Sequence, residues 1–227
     1  MKPPLSPAHE TAAQLLDAGC VRVRADEPFR LPSGWASPVY MDCRRLISFP
    51  ATRRSLVAQA LERLRAAGAL DGLAAVAGGE ASGIALAAWI ADTLDLPLQY
   101  VRKRAVGHAQ VEGVVEPGST VLLVDDLMAA GLSKAVFCKA LRECGAQVRD
   151  ILVVFDYGTF SAAAQWQAQG VRIHALCTWQ DVLAVARERG AFAPPALAEW
   201  EAFLRDPAEW SLAHGGIAAS SLSRVIA

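Results

Sequence analysis

The stretch VLLVDDLMAAGLS (Val121–Ser133) places two adjacent carboxylates, Asp125 and Asp126, directly behind four apolar residues. Neighbouring carboxylates at the end of a buried segment repel one another and resist desolvation unless a cation or a hydroxyl donor meets them. Mg²⁺ or sugar hydroxyls would serve. The small-residue loop that follows opens a helix near Leu132–Ser133, and the free backbone N–H groups of a helix start attract an anion. Acids for a ribose or a metal, followed by amides for a phosphate, describe a sugar-phosphate site. The alternative is plain turn chemistry, with Asp125 capping a turn and Asp126 solvated. A second charged stretch, YVRKRAVGH, collects Arg102, Lys103 and Arg104, with His108 after a glycine. It is either a solvated loop or an anion site. A third, GGEASG (Gly78–Gly83), either lets backbone approach a ligand, because glycine lacks Cβ, or is a strand-to-helix turn capped by Ser82. No GK[ST] follows Gly131 and no GxGxxG occurs, so neither common nucleotide loop is present.

The elements that would position these stretches alternate. Helices are expected over Pro7–Gly19, Ala51–Gly68, Ala81–Asp95, Ser133–Gly145 and Ser161–Gln169. Apolar strands are expected over Gly72–Gly79, Leu96–Arg104, VLLVDDL, Val148–Gly158 and Val171–Trp179, with an antiparallel β-rich piece over Val21–Pro50. Two C-terminal helices, DVLAVARERGAF and PALAEWEAFLRD, close the pattern. Strand–helix alternation with nearly continuous apolar strands predicts an α/β fold: a mostly parallel, doubly wound sheet covered on both faces. The expected organisation is one domain over 1–227, with an N-terminal β/α hood (about 1–50), a core sheet (about 70–180) and a helical tail (about 181–227). In such sheets ligands bind outside the carboxyl ends of the strands, where all three charged stretches fall.

Composition narrows the class. Of 227 residues 53% are hydrophobic, enough for a sizeable core, and the net charge of −1 gives no reason to expect a nucleic-acid or membrane surface. The five cysteines, Cys20, Cys43, Cys138, Cys144 and Cys177, form no CxxC pair and read as buried free thiols in a reducing compartment. MKPPLSPAHE carries no apolar leader and no run reaches membrane-spanning length, so the expected location is the cytosol. Trp35 and Trp179 read as packing residues.

Taken in order, FRLPSGWASPVYMDCRRLISFP, GGEASGIALAAWIAD, YVRKRAVGH…VEG, VLLVDDLMAAGLSK and CTWQDVLAVARERGAF resemble the type I phosphoribosyltransferases, and within them the orotate phosphoribosyltransferases. The likeness covers nearly the whole chain. It implies a reaction in which orotate displaces pyrophosphate from C1 of 5-phosphoribosyl 1-diphosphate (PRPP), giving orotidine 5′-monophosphate, with Mg²⁺ as cofactor. It implies that Asp125 and Asp126 hold the ribose hydroxyls, and that Ala129, Ala130, Gly131, Leu132 and Ser133 cradle the 5′-phosphate. Gly79 and Glu80 would lie near the pyrophosphate. Arg102, Lys103 and His108 would neutralise the diphosphate, with Lys103 and His108 counted with the two acids as catalytic. Mg²⁺ would be held mainly through PRPP, with Asp125 and Asp126 as the residues that could touch it. A homodimer exchanging its mobile loop across the interface is implied as well.

The sequence departs from that pattern near the chemistry. The cradle reads Met128-Ala129-Ala130-Gly131-Leu132, where the family carries threonines, so only Ser133 keeps a hydroxyl. Each lost hydroxyl–phosphate bond is worth on the order of 1.5–3 kcal/mol. Val106 stands where the family has a second loop lysine, and the loop from Lys103 to Glu112 is a few residues short. Asp156 and Tyr157 follow the strand where some members place an arginine for the orotate carboxylate. Arg44 is the substitute cation and Tyr157 its neighbour in a base site, although Arg44 could equally pair with Asp42. Alternatives are a weakly active or inactive phosphoribosyltransferase-fold protein that binds PRPP or a nucleotide, and a transferase for another base.

Overall fold

The computed structural model describes residues 6–31, 33–107, 109–129, 131–158 and 163–218. Helix α1 (Pro7–Asp17) starts where Ser6 accepts from the His9 N–H at 3.3 Å and proline occupies the first turn. A hood follows, in which β1 (Val21–Val23) pairs antiparallel with β4 (Val39–Met41), and β2 (Phe29–Arg30) with β3 (Ala36–Ser37). The antiparallel expectation holds, but the segment does not stay extended to Pro50. A 3-10 helix occupies Cys43–Ser48, and Pro50 opens α2 (Pro50–Ala66). Proline suits a first helical turn, where its missing N–H costs nothing.

The main sheet has six strands: β5 (Leu73–Gly79), β6 (Leu98–Val106), β7 (Ala109–Glu112), β8 (Thr120–Met128), β9 (Gln147–Asp156) and β10 (Arg172–Thr178). Their order is β10-β9-β8-β5-β6-β7, parallel except for β7. Helices α3 (Ser82–Leu94), α4 (Leu132–Glu143) and α5 (Ala163–Ala168) form connections between the strands. Strand residues alternate between the two faces. Leu122 and Val124 join the larger core cluster, which α1, α2 and α3 cover, while Val121 and Leu123 join the cluster around Phe137, Leu141 and Trp166. This period of two, with all four side chains at 0% exposure, is why the strand reads as one apolar run.

Further expectations needed revision. The segment after Lys103 is not a simple loop: β6 runs to Val106 and β7 returns antiparallel against it. The tail has three helices, α6 (Trp179–Arg189), α7 (Pro194–Arg205) and α8 (Pro207–Ala213), because Asp206 caps the last by accepting from the Glu209 N–H at 2.9 Å. The residue capping α3 is Ala81, not Ser82, and it makes no side-chain cap bond. Four of the cysteines are buried as expected, whereas Cys144 is exposed.

Hydrogen bonds tie the hood to the core and tail. The Met41 N–H donates to the Tyr157 hydroxyl at 3.3 Å, and the Ala36 N–H donates to Ser211 Oγ at 2.9 Å. A chain of edge-on rings, Tyr157–Trp179–Trp200, with centroids 5.3 and 5.2 Å apart, carries the packing on into the tail. Trp35 and Trp179 are packing residues, at 5% and 0% exposure. At the amino ends of the strands, buried Asp150 accepts from Arg172 Nε at 2.8 Å and contacts His174 Nε2 at 2.6 Å.

Candidate active site

The sheet order reverses between β5 and β8: β6 lies on one side of this pair and β9 and β10 on the other. Loops leave such a point in opposite directions and open a crevice at the carboxyl ends of the strands. Two cavities lie there. One, of about 320 Å³, is lined by Asp42, Arg44, Glu80, Lys103, Asp125, Asp126 and Lys134, among others. The second, of about 310 Å³, faces the start of α4 and is lined by Tyr40, Ala129, Gly131, Leu132, Ser133, Lys134 and Tyr157, among others. A larger cavity of about 490 Å³ lies between α2 and α3, away from the paired acids.

The two acids differ in environment. They do not end the strand, since β8 continues to Met128, which lies opposite Asp156. Asp125 is buried, and both its oxygens are engaged. Oδ1 accepts from the Asp126 N–H at 2.9 Å, and Oδ2 meets Lys134 Nζ at 2.6 Å, with each side chain 7% exposed. Asp126 is half-buried, and its Oδ1 accepts from the Leu127 N–H at 2.8 Å. Burial and the neighbouring Asp125 push its carboxyl up to about 7, against the pull of Lys134. Asp126 is therefore the acid open to a ligand, and Asp125 the one already neutralised.

Lys134 escaped the sequence reading. One signal was available: a lysine in the first turn of a helix faces the positive end of the helix dipole, so it needs a carboxylate nearby. The start of α4 is otherwise as expected. Gly131 takes the left-handed conformation as its cap, at φ 77°, and Leu132 and Ser133 open the helix. Ala129, Gly131, Leu132 and Ser133 all line the same cavity. Ala130 and His108 lie outside the described residues.

The GGEASG glycines serve packing first. A Cβ on Gly79 would come within 2.5 Å of the Phe137 ring. One on Gly83 would come within 2.8 Å of the Asp125 Cα and collide with the Val124 carbonyl. Both glycines seat helices against the sheet, and Gly83 sets how closely α3 approaches the acidic pair. Glu80 does reach the cavity, where its carboxylate accepts from the Lys103 N–H at 2.7 Å.

The cations separate. Lys103 is exposed and lines the acidic cavity. Arg102 does not line it; its guanidinium pairs with Glu112 across the hairpin at 2.9 Å and lies over Tyr100. Arg44 lines the acidic cavity while donating to Asp42 Oδ1 at 2.6 Å, and this contact lowers the Asp42 carboxyl below its ordinary value. Tyr157 lines the second cavity, and its hydroxyl accepts from the Met41 N–H. Among the described residues no cluster of three or more potential metal ligands forms.

The chain is similar to proteins of known family. The family model described as phosphoribosyl transferase domain matches residues 56–164. An orotate phosphoribosyltransferase of Dinoroseobacter shibae is 44% identical over 211 residues, covering 91% of this chain and 93% of the relative. One from Cereibacter sphaeroides is 47% identical over 208 residues, covering 89% of each. The crystal structure of orotate phosphoribosyltransferase from Aeropyrum pernix superposes with a TM-score of 0.67 at 32% identity, covering 79% of this chain and 99% of that one.

Proposed function

The chain belongs to the orotate phosphoribosyltransferases, and on that premise we propose how its own residues divide the work on PRPP and orotate. The reaction transfers the phosphoribosyl group from PRPP to orotate, giving orotidine 5′-monophosphate and pyrophosphate in pyrimidine biosynthesis. One observation carries the assignment of roles: the acidic pair lines one cavity, and that cavity shares Tyr40, Met41, Leu127, Ser133 and Lys134 with a second one at the start of α4.

In this reading Asp126 accepts a ribose hydroxyl through the oxygen that Leu127 leaves free. Asp125 orients it from below. The N–H groups at the start of α4 and the Ser133 hydroxyl receive the 5′-phosphate. The diphosphate lies in the acidic cavity beside Lys103, whose main chain Glu80 holds in place. Positive charge develops on the ribose ring as pyrophosphate leaves, so a fixed cation at the leaving group and carboxylates beneath the ring lower the barrier electrostatically. Arg44 and the Tyr157 ring flank the orotate. Arg102 acts at a distance by stiffening the hairpin through Glu112.

The donor set suits Mg²⁺ held chiefly by the ligand. One open carboxylate, Asp126, and the nearby Glu80 are too few for a protein cage but match the usual pairing of a carboxylate or two with substrate phosphates. When bound, Mg²⁺ would neutralise charge on the departing diphosphate. The family resemblance implies a homodimer in which the β6–β7 hairpin is exchanged across the interface, and Val106 on that hairpin, 63% exposed, is available to such a contact. No described helix is long and apolar enough to cross a membrane, which fits a cytosolic site of action.

The test is direct. The protein is incubated with PRPP, Mg²⁺ and orotate, and loss of orotate absorbance is followed. Turnover is expected. Tight PRPP binding by calorimetry without turnover would instead indicate a PRPP-binding protein that has lost catalysis.

A further inference from the structure

Among the described residues that line the cavity over the start of α4, Lys134 is the one that carries charge. A phosphate dianion entering so apolar a space meets a large desolvation cost unless a cation compensates it. In the loop that leads into α4, Ala129 and Leu132 offer no hydroxyl and Ser133 offers one, although Ser33 and Tyr40 also line the cavity. Lys134 also lines the acidic cavity, so it stands in the partition between the two. Its flexible four-carbon stem starts in the first turn of α4, beside the backbone amides of the helix start.

We propose that Lys134 is a further substrate-positioning residue: its ammonium, held at Asp125 in the free protein, is the cation that meets the 5′-phosphate and replaces the cradle's missing hydroxyls. The inference rests on the assignment of this cavity to the 5′-phosphate. As the phosphate enters, the ammonium is shared between it and Asp125. Asp125 then regains a free lone pair on Oδ2 for the ribose, so phosphate capture and ribose capture are linked through one side chain. A lysine that only balanced Asp125 would not discriminate between ligands with and without a 5′-phosphate.

Two probes separate these roles. Ribose 5-phosphate carries the 5′-phosphate, and pyrophosphate does not. In Lys134→Met, ribose 5-phosphate affinity should fall about 10- to 100-fold, the loss of one charge-assisted bond. Pyrophosphate affinity should change less than about twofold, and KM for PRPP should rise more than kcat falls. Equal losses for both probes, or none for ribose 5-phosphate, would overturn the proposal. Because Lys134→Met strands a buried carboxylate and could unfold the chain, the same comparison is made between Asp125→Asn and Asp125→Asn/Lys134→Gln, in which no charge is left unpaired in the double variant. The double variant should bind ribose 5-phosphate at least about tenfold more weakly than the single one; equal affinity would overturn the proposal. Wild-type protein that binds neither PRPP nor ribose 5-phosphate would overturn the assignment of the cavity itself, whereas wild-type binding with no Lys134 effect overturns this inference alone.

Discussion

Protonation of Asp126 should make PRPP binding pH-dependent near neutrality. Burial and Asp125 raise its carboxyl from 3.8 to about 7. Between those values the folded protein holds a proton that the unfolded chain releases. Stability contributed by this group is therefore greatest below pH 3.8 and falls as pH rises toward 7, by at most about 1.4 kcal/mol per pH unit. Ligand binding runs the opposite way. An ionised Oδ2 accepts a charge-assisted bond from a ribose hydroxyl, whereas a protonated Oδ2 can only donate a weaker one to it, Oδ1 being engaged by the Leu127 N–H. For a group titrating near 7, the ionised fraction falls about tenfold between pH 8 and pH 6, so PRPP affinity should weaken by about tenfold, or about 1.4 kcal/mol. At pH 7 about half a proton should leave per PRPP bound. Titration calorimetry at pH 6, 7 and 8, in buffers of differing ionisation heat, reads both quantities. The phosphates of PRPP titrate near pH 6 as well, so the decisive number is the difference between wild type and Asp126→Asn. Identical proton release and pH slope in the two proteins would refute the argument that Asp126 carries the titration.

Three other perturbations follow from the geometry. Leu132→Thr should lower KM for PRPP by about tenfold or more by restoring one hydroxyl–phosphate bond, with little change in kcat; steady-state kinetics at saturating orotate would check it. Gly83→Ala forces a Cβ against the Asp125 Cα at 2.8 Å, so it should cost about 1–3 kcal/mol in urea unfolding and weaken PRPP binding by displacing the acidic pair. Asp150→Ala leaves Arg172 and buried His174 without their carboxylate at the far end of the sheet, so it should destabilise by about 3 kcal/mol while kcat/KM of the remaining folded protein stays within about twofold.

Much of the fold was legible because its signals are local. Apolar runs such as Val121–Val124 and Ile151–Val153 need only nearest neighbours to announce a strand buried on both faces, and proline and glycine punctuate the helices on either side. The 3-10 turn at Cys43–Ser48 and the final helix were missed because both are short and held by contacts from elsewhere, such as Ser211 against the Ala36 backbone. The strand up to Arg104 was legible, but the end of β6 at Val106 and the return strand β7 were read as a loop, because β7 is only Ala109–Glu112 and is held by pairing across the hairpin.

The site divides along the same line. The sequence alone determined that two carboxylates precede a helix start at the carboxyl edge of a parallel sheet, because strand, turn and helix are contiguous in the chain. The tertiary structure decided what each group does. It buried Asp125 against Lys134, left Asp126 open, drew Arg102 away to Glu112 and gave Gly79 and Gly83 to packing. These outcomes depend on burial and on charges brought together across separate elements. A carboxylate's role follows from its dielectric surroundings and its partners, and folding alone fixes those.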